Sequence, residues 1–278
     1  MIILIQKTSL YMIIDGKIVS KKIMEDIKER LKNGPKIMVA AIAYKEDKES
    51  IVYFNSIKRN AEKAGIGFNL LEIEGKDLIE KINELNDDSS VTGIIVGRPF
   101  PPGITNEIVS LALNPDKDID CVTPHNLGLL NFNINSIAPA TPKATIDILE
   151  QNGISLKGKN VLVINRSVTV GRPLVNLLLN RDATVTIAHS KTSNMEKMIE
   201  DNDIIILAVG KAGYLKSSSI KGKKIIVDVG INVVGDRIVG DFENDAQRED
   251  IYYTPVPGGV GSVTSAEILK NALDIVNL

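Results

Sequence analysis

The chain contains no tryptophan, one cysteine, two histidines and only 4% aromatic residues among 278 positions. A single thiol, Cys121, excludes an intrachain disulfide, a Cys-x-x-Cys redox pair and a cysteine zinc cluster, and it suits a reducing, cytoplasmic compartment. Charge of one sign is not in excess. The 33 Lys and Arg against 35 Asp and Glu leave a formal charge of −2, so no overall field points to nucleic acid or an anionic membrane as partner. Apolar runs such as residues 37–44 and 204–209 fall far short of the roughly 18–20 residues that cross a bilayer. Residues 1–5 are apolar but lack a basic leader and a small-residue cleavage site, so they are not read as a signal peptide. Met12 is a candidate start, because the patterned sequence begins at Ile13.

The remaining composition, 44% hydrophobic and 24% charged, is that of an ordinary globular chain with ample core. At roughly 100–200 residues per domain, two domains are expected. The first half alternates. A strand at 12–14 precedes a helix bearing Ile23, Ile27 and Leu31, which stops at Asn33-Gly34-Pro35. Strands at 37–44, 67–73 and 93–96 then enclose helices at about 49–64 and 76–85. Such alternation calls for a parallel sheet with right-handed crossovers, an α/β layer domain. Between Pro99 and Pro142 the periodicity weakens and prolines crowd together, which reads as loops lining a cleft. The second half restarts as a Rossmann-type unit: strands at 160–164, 184–188, 204–209, 224–229 and 252–254, with a helix at 171–179. Thr264-Ser-Ala-Glu267 reads as a capping box opening a last helix to about Val276.

Four segments carry chemistry. The turn from Asn165 to Pro173 follows the first strand of the Rossmann unit and opens a helix, the place for a dinucleotide phosphate, although it holds one glycine and not G-x-G-x-x-G. The next strand ends in His189-Ser190-Lys191-Thr192 with no acidic residue, and with Arg166 this favours a 2′-phosphate, hence NADP; a solvated basic turn is the alternative. Gly258, Gly259 and Gly261 permit close backbone approach to a ligand or form a plain tight turn. In the run from Asn114 to Asp120 a carboxylate could bind a planar ligand offering paired N–H donors, and a surface turn is the commoner reading of such a run. Tyr53 offers a stacking face or belongs to the core.

Taken in order, several rare segments resemble the bifunctional methylenetetrahydrofolate dehydrogenase/methenyltetrahydrofolate cyclohydrolase family from about Ile13 to Leu278. They are Ser50-x-x-Tyr53, Gly93-Ile-Ile-Val96, Pro115-x-Lys-Asp-Ile-Asp120, Pro139-x-Thr-Pro-Lys143, Arg166-Ser167-x-x-Val-Gly171-x-Pro173, the strand from Ala183 through His189-Ser190, Asp228-Val-Gly-Ile-Asn232 and Thr254-Pro-Val-Pro-Gly-Gly-Val-Gly261. The resemblance implies an N-terminal catalytic domain (1–137 and 263–278), a Rossmann NADP domain (138–262), a last helix packing back on the first domain, a folate cleft between them and a homodimer. It implies oxidation of 5,10-methylenetetrahydrofolate by NADP⁺ and hydrolysis of the methenyl product to 10-formyltetrahydrofolate. Tyr53 would stack on the folate, Asp120 would hold the pterin, and Pro257, Gly258 and Gly259 would line the cleft. Asn165, Arg166, Ser167, Ser190 and Ile231 would form the NADP site.

Two departures touch the chemistry. The family's Tyr-x-x-x-Lys lysine falls on Ile57, with Lys58 one place late. On a regular helix position i+4 lies about 40° from Tyr53 and i+5 about 140° away, so Lys58 serves the site only through a bent stem or a helix bulge. The family's Val-Gln-Leu-Pro-Leu-Pro reads Val96-Gly97-Arg98-Pro99-Phe100-Pro101, which replaces the glutamine by glycine and introduces a permanent cation at Arg98. Hydride transfer depends mainly on juxtaposition, whereas hydration of the methenyl carbon needs proton transfer, so the second step is the one these changes touch. A dehydrogenase without the second step, and a folate- and NADP-binding protein without turnover, are the competing readings.

Overall fold

In a computed structural model of the chain, residues 12–134 and 137–277 are described; the apolar segment 1–5 lies outside them. Two compact units form, one from residues up to 21 with 141–264, the other from 22–140 with the segment from 265 onward.

The second of these units is built on a three-stranded parallel sheet in the order Gly67–Ile73, Met38–Tyr44, Gly93–Val96. The helix Lys48–Ala64 starts at Asp47, whose side chain accepts from the Ser50 N–H. It ends at Gly65, left-handed at φ 84°, whose N–H donates to the Ala61 and Glu62 carbonyls. Ile42, Ile82, Ile94 and Leu113 fill the core beneath the sheet. Gly93 has no side chain because Ile119 occupies the space a Cβ would need.

The proline-rich stretch after Pro99 is more regular than expected, with helices at Asn106–Ala112, Pro124–Asn131 and Ala140–Gln151. Thr105 and Thr123 cap the first two through their side chains. Pro124 then sits in a first turn, where its missing N–H costs no intrahelical bond. The prolines here mark a helix start as well as loops.

The other unit is a six-stranded sheet in the order Met12–Ile13, Ile251–Tyr253, Lys224–Asp228, Ile204–Leu207, Asn160–Ile164, Thr184–Ala188, parallel throughout. The segment after Met12 joins this sheet, not the N-terminal one: the Ile14 N–H donates to Tyr253 O at 2.8 Å and the Gly16 N–H to Gly258 O at 3.0 Å. In this unit the helix Met195–Asp201, the hairpin Asn232–Val234/Arg237–Val239 and the short parallel pair Leu215–Lys216/Phe242–Glu243 were not read from the sequence.

The last helix spans Val260–Asp274, starting four residues before Thr264. Thr264 and Glu267 are therefore not a capping box: the Thr264 hydroxyl, already inside the helix, donates to Val260 O at 3.1 Å, the usual i−4 bond of a helical threonine. Within the unit of 22–140 and 265 onward, Asn271 ties the helix down by donating to Ile119 O at 2.9 Å and Ala138 O at 2.8 Å.

Candidate active site

The run from Asn114 to Asp120 separates two carboxylates with different duties. Asp118 is fully buried and accepts from the Val122 N–H at 3.0 Å, the Thr123 N–H at 2.8 Å and Asn126 Nδ2 at 3.0 Å, so it is consumed in holding the loop. Asp120 keeps 22% of its side chain exposed and faces the Arg98 guanidinium, Nη1 to Oδ2 at 3.4 Å. Burial raises its carboxyl to about 6; Arg98 pulls the other way, and Asp118 adds to the rise. The backbone next to Asp120 is fixed by Asn271, through Ile119 O.

Tyr53 stands beside this pair. Burial raises its phenol first, the charge of Asp120 next, while a hydrogen bond with Ser265 acts in the opposite sense. Its ring lies 5.8 Å from that of Phe54, centroid to centroid, at 40°. An aromatic face, a carboxylate and a cation thus share one end of the unit. Such a set can stack a flat heterocycle and accept from its N–H groups.

Lys58 is not part of this set. The helix Lys48–Ala64 runs without a bulge, so Ile57 takes the inward position, fully buried, and Lys58 lies half-buried one residue beyond. The space opposite is filled: a Cβ on Gly97 would come to 3.0 Å from Phe54 Cε2 and from both Cβ and Oγ of Ser50. Sequence reasoning passed over Phe54, Asn106 and Ser265. The signal for Phe54 was the bulky ring next to Tyr53 paired with a glycine at 97.

In the Rossmann unit the turn after Asn160–Ile164 is braced by Asn165. Its Oδ1 accepts from the Ser167 N–H at 2.7 Å and the Gly171 N–H at 3.0 Å, and its Nδ2 donates to Ala208 O at 2.6 Å. Gly171 is required, since a Cβ there would overlap the Asn165 carbonyl. Ser167 Oγ accepts from the Val170 N–H at 3.1 Å, and the nine-residue helix Gly171–Leu179 opens directly behind. Arg166 and Ser190 are exposed, as is Ile231 at 61%. The following basic turn is closed by the His189 N–H donating to Thr192 Oγ1 at 2.9 Å. A tight turn at a helix N-terminus, with exposed Arg166 and Lys191 and no carboxylate closing the strand Thr184–Ala188, fits the extra phosphate of NADP.

Two buried aspartates hold the adjacent loops. Asp241 accepts from the Val209, Gly210 and Lys211 N–H groups at 2.6, 3.0 and 2.8 Å and from Asn232 Nδ2 at 2.9 Å. Asp228 accepts from the Gly230, Asp241 and Phe242 N–H groups. Pro257, Gly258 and Gly259 form a turn against Gly16, whose N–H donates to Gly258 O. Gly258 takes φ 107°, and a Cβ on Gly259 would sit 2.5 Å from Pro255 O. Both positions exclude a side chain.

Residues 14–120 match the profile of the tetrahydrofolate dehydrogenase/cyclohydrolase catalytic domain, and residues 139–278 that of the same family's NAD(P)-binding domain. The bifunctional protein FolD of Thermotoga petrophila is 39% identical over 263 residues, covering 94% of this chain and 96% of its own. The crystal structure of the FolD dehydrogenase/cyclohydrolase of Campylobacter jejuni superimposes with a TM-score of 0.90 at 35% identity, over 95% of this chain and 98% of that one. The Trypanosoma brucei methylenetetrahydrofolate dehydrogenase-cyclohydrolase, solved with NADP and an inhibitor, gives 0.89 at 32% identity, over 96% and 97%. The chain belongs to the tetrahydrofolate dehydrogenase/cyclohydrolase family.

Proposed function

We propose that this chain is an NADP-dependent 5,10-methylenetetrahydrofolate dehydrogenase that also hydrates the methenyl product to 10-formyltetrahydrofolate. The observation that carries the reading is the Tyr53–Asp120–Arg98 set in one unit of a chain whose other unit bears the phosphate-binding turn at 165–171. Asp120, as carboxylate, accepts from the paired N–H donors of the pterin, and Tyr53 stacks on the ring system. Pro257, Gly258 and Gly259 contribute backbone to the folate. Arg166 and Ser190 take the 2′-phosphate, Ser167 and the N-terminus of Gly171–Leu179 take the pyrophosphate, and Ile231 gives an apolar wall. Asn165 shapes the loop, because its amide is spent inside it. Bound NADP⁺ supplies the hydride acceptor.

The hydration step relies on a site whose position 57 is apolar, which makes it the slower of the two. The working form is a cytoplasmic homodimer. Exposed Val233, Val234 and Ile238 on the hairpin support a further protein surface there, and free, buried Cys121 suits a reducing compartment. Among the described residues no helix is long and apolar enough to cross a membrane. Incubation with 5,10-methylenetetrahydrofolate and NADP⁺ tests the reading: enzyme-dependent NADPH supports it, and no NADPH overturns it. Light scattering at micromolar concentration tests the dimer.

A further inference from the structure

We infer that Arg98 is a positioning residue for folate recognition, holding Asp120 as an oriented carboxylate and so setting the acid limit of folate binding and turnover. This rests on the assignment of Asp120 to the pterin made above.

Arg98 is built in from several sides. Its Nη1 lies 3.4 Å from Asp120 Oδ2, its Nε donates to Asn106 Oδ1 at 3.1 Å, and its guanidinium carbon sits 5.3 Å from the centre of the Phe100 ring. Its own carbonyl accepts from Ser50 Oγ at 3.0 Å, which fixes the backbone to the helix that carries Tyr53. A freely solvated arginine would show none of these restraints. Here a neutral amide, an aromatic face and the backbone aim the fork at one carboxylate.

The carboxylate needs that cation. Of the titratable groups around it, Asp118 repels its charge, and Tyr53 and Cys121 are neutral neighbours whose own ionisation it opposes. Arg98 is the neighbouring charge that favours the ionised form. A pterin's donors bind the carboxylate and not the acid, so protonation of Asp120 competes with the substrate. Taking Arg98 away raises the proton affinity of Asp120 further and carries the acid limb of binding toward neutral pH. An opposite charge at this range shifts a carboxyl by about 1–3 units, and partial exposure of both side chains puts the shift at about one unit here.

The test is tetrahydrofolate affinity by calorimetry and dehydrogenase kcat/KM, both from about pH 5.5 to 8.5, for wild type, Arg98→Leu, Arg98→Lys and Asn106→Ala. The expected wild-type acid limb lies near pH 6. Arg98→Leu moves it up by about one unit, Asn106→Ala moves it less in the same direction, and Arg98→Lys, which keeps the charge, stays near wild type. NADP⁺ affinity is unchanged in all. A limb that stays put in Arg98→Leu and Asn106→Ala overturns the inference while leaving the proposed function intact. A wild type that neither binds tetrahydrofolate nor forms NADPH overturns the function itself. If Arg98→Leu does not fold, the limb position in Asn106→Ala decides alone.

Discussion

Gly97 lies against Phe54 so closely that a Cβ on the glycine would stand 3.0 Å from the ring's Cε2. Ile57 is fully buried on the same helix, and 57 and 97 are the two positions at which the resemblance implies a lysine and a glutamine. The ring at 54 and the Ser50 side chain leave little room for a side chain at 97. Gly97→Gln alone is expected to cost about 1–3 kcal/mol through overpacking, and Phe54→Val in the same chain to recover most of it. Denaturant melts of the two single variants and the double variant measure the coupling. The triple variant Phe54→Val/Ile57→Lys/Gly97→Gln is expected to hydrate methenyltetrahydrofolate about 10-fold or more faster than wild type; no gain would show that these positions do not limit the step.

Asp120→Asn separates recognition from stability. Loss of a charged acceptor should weaken tetrahydrofolate binding by about 10- to 100-fold and leave NADP⁺ affinity within about twofold. The sign of the stability effect is opposite. A carboxyl raised to about 6 in the folded chain stabilises below the unfolded value and gives that up as pH rises through 6. The variant lacks this loss. Its stability relative to wild type should therefore climb between pH 4 and 7, by about 1–2 kcal/mol, as read from urea midpoints. A flat difference would contradict a carboxyl raised to about 6 in the folded chain.

Arg166→Ala should raise KM for NADP⁺ about 10-fold or more, with KM for NAD⁺ nearly unchanged. Equal effects on both cofactors would remove Arg166 from the 2′-phosphate.

Asp241→Ala leaves three backbone N–H groups of the loop 209–211 without their acceptor. The expected cost is about 3 kcal/mol or more, a fall in Tm of about 6–12 °C, together with weaker NADP⁺ binding. Thermal melts with and without NADP⁺ check it.

Lys58→Ala should retain both activities within about twofold, because an unbroken helix carries its side chain away from Tyr53. A large loss of hydration alone would place a proton carrier at Lys58 after all.

Both sheets were legible from strand runs and glycine punctuation, because buried parallel strands such as Asn160–Ile164 and Ile204–Leu207 read as continuous apolar stretches. The hairpin at 232–239 is written in Val-Val-Gly-Asp-Arg-Ile-Val, where Gly-Asp turns between apolar residues. The helices after Pro99 were masked by prolines whose role at a helix start needs the preceding Thr123 cap to be recognised. Attachment of Met12–Ile13 to the larger sheet was not legible, since pairing to Tyr252 and Tyr253 spans the whole chain. For the site, residue types gave Tyr53 and Asp120, but only three-dimensional packing separated the loop-holding Asp118 from Asp120 and gave Arg98 its partners Asp120, Asn106 and Phe100.

The most direct test is a time course of the purified protein with 5,10-methylenetetrahydrofolate and NADP⁺, following NADPH, methenyl- and 10-formyltetrahydrofolate together, with NAD⁺ and enzyme-free controls. The account predicts NADPH formation that favours NADP⁺, transient methenyltetrahydrofolate, and 10-formyltetrahydrofolate appearing faster than in the enzyme-free control. Formation of NADPH with methenyltetrahydrofolate decaying only at the uncatalysed rate would contradict the second activity, and no NADPH would contradict the account as a whole.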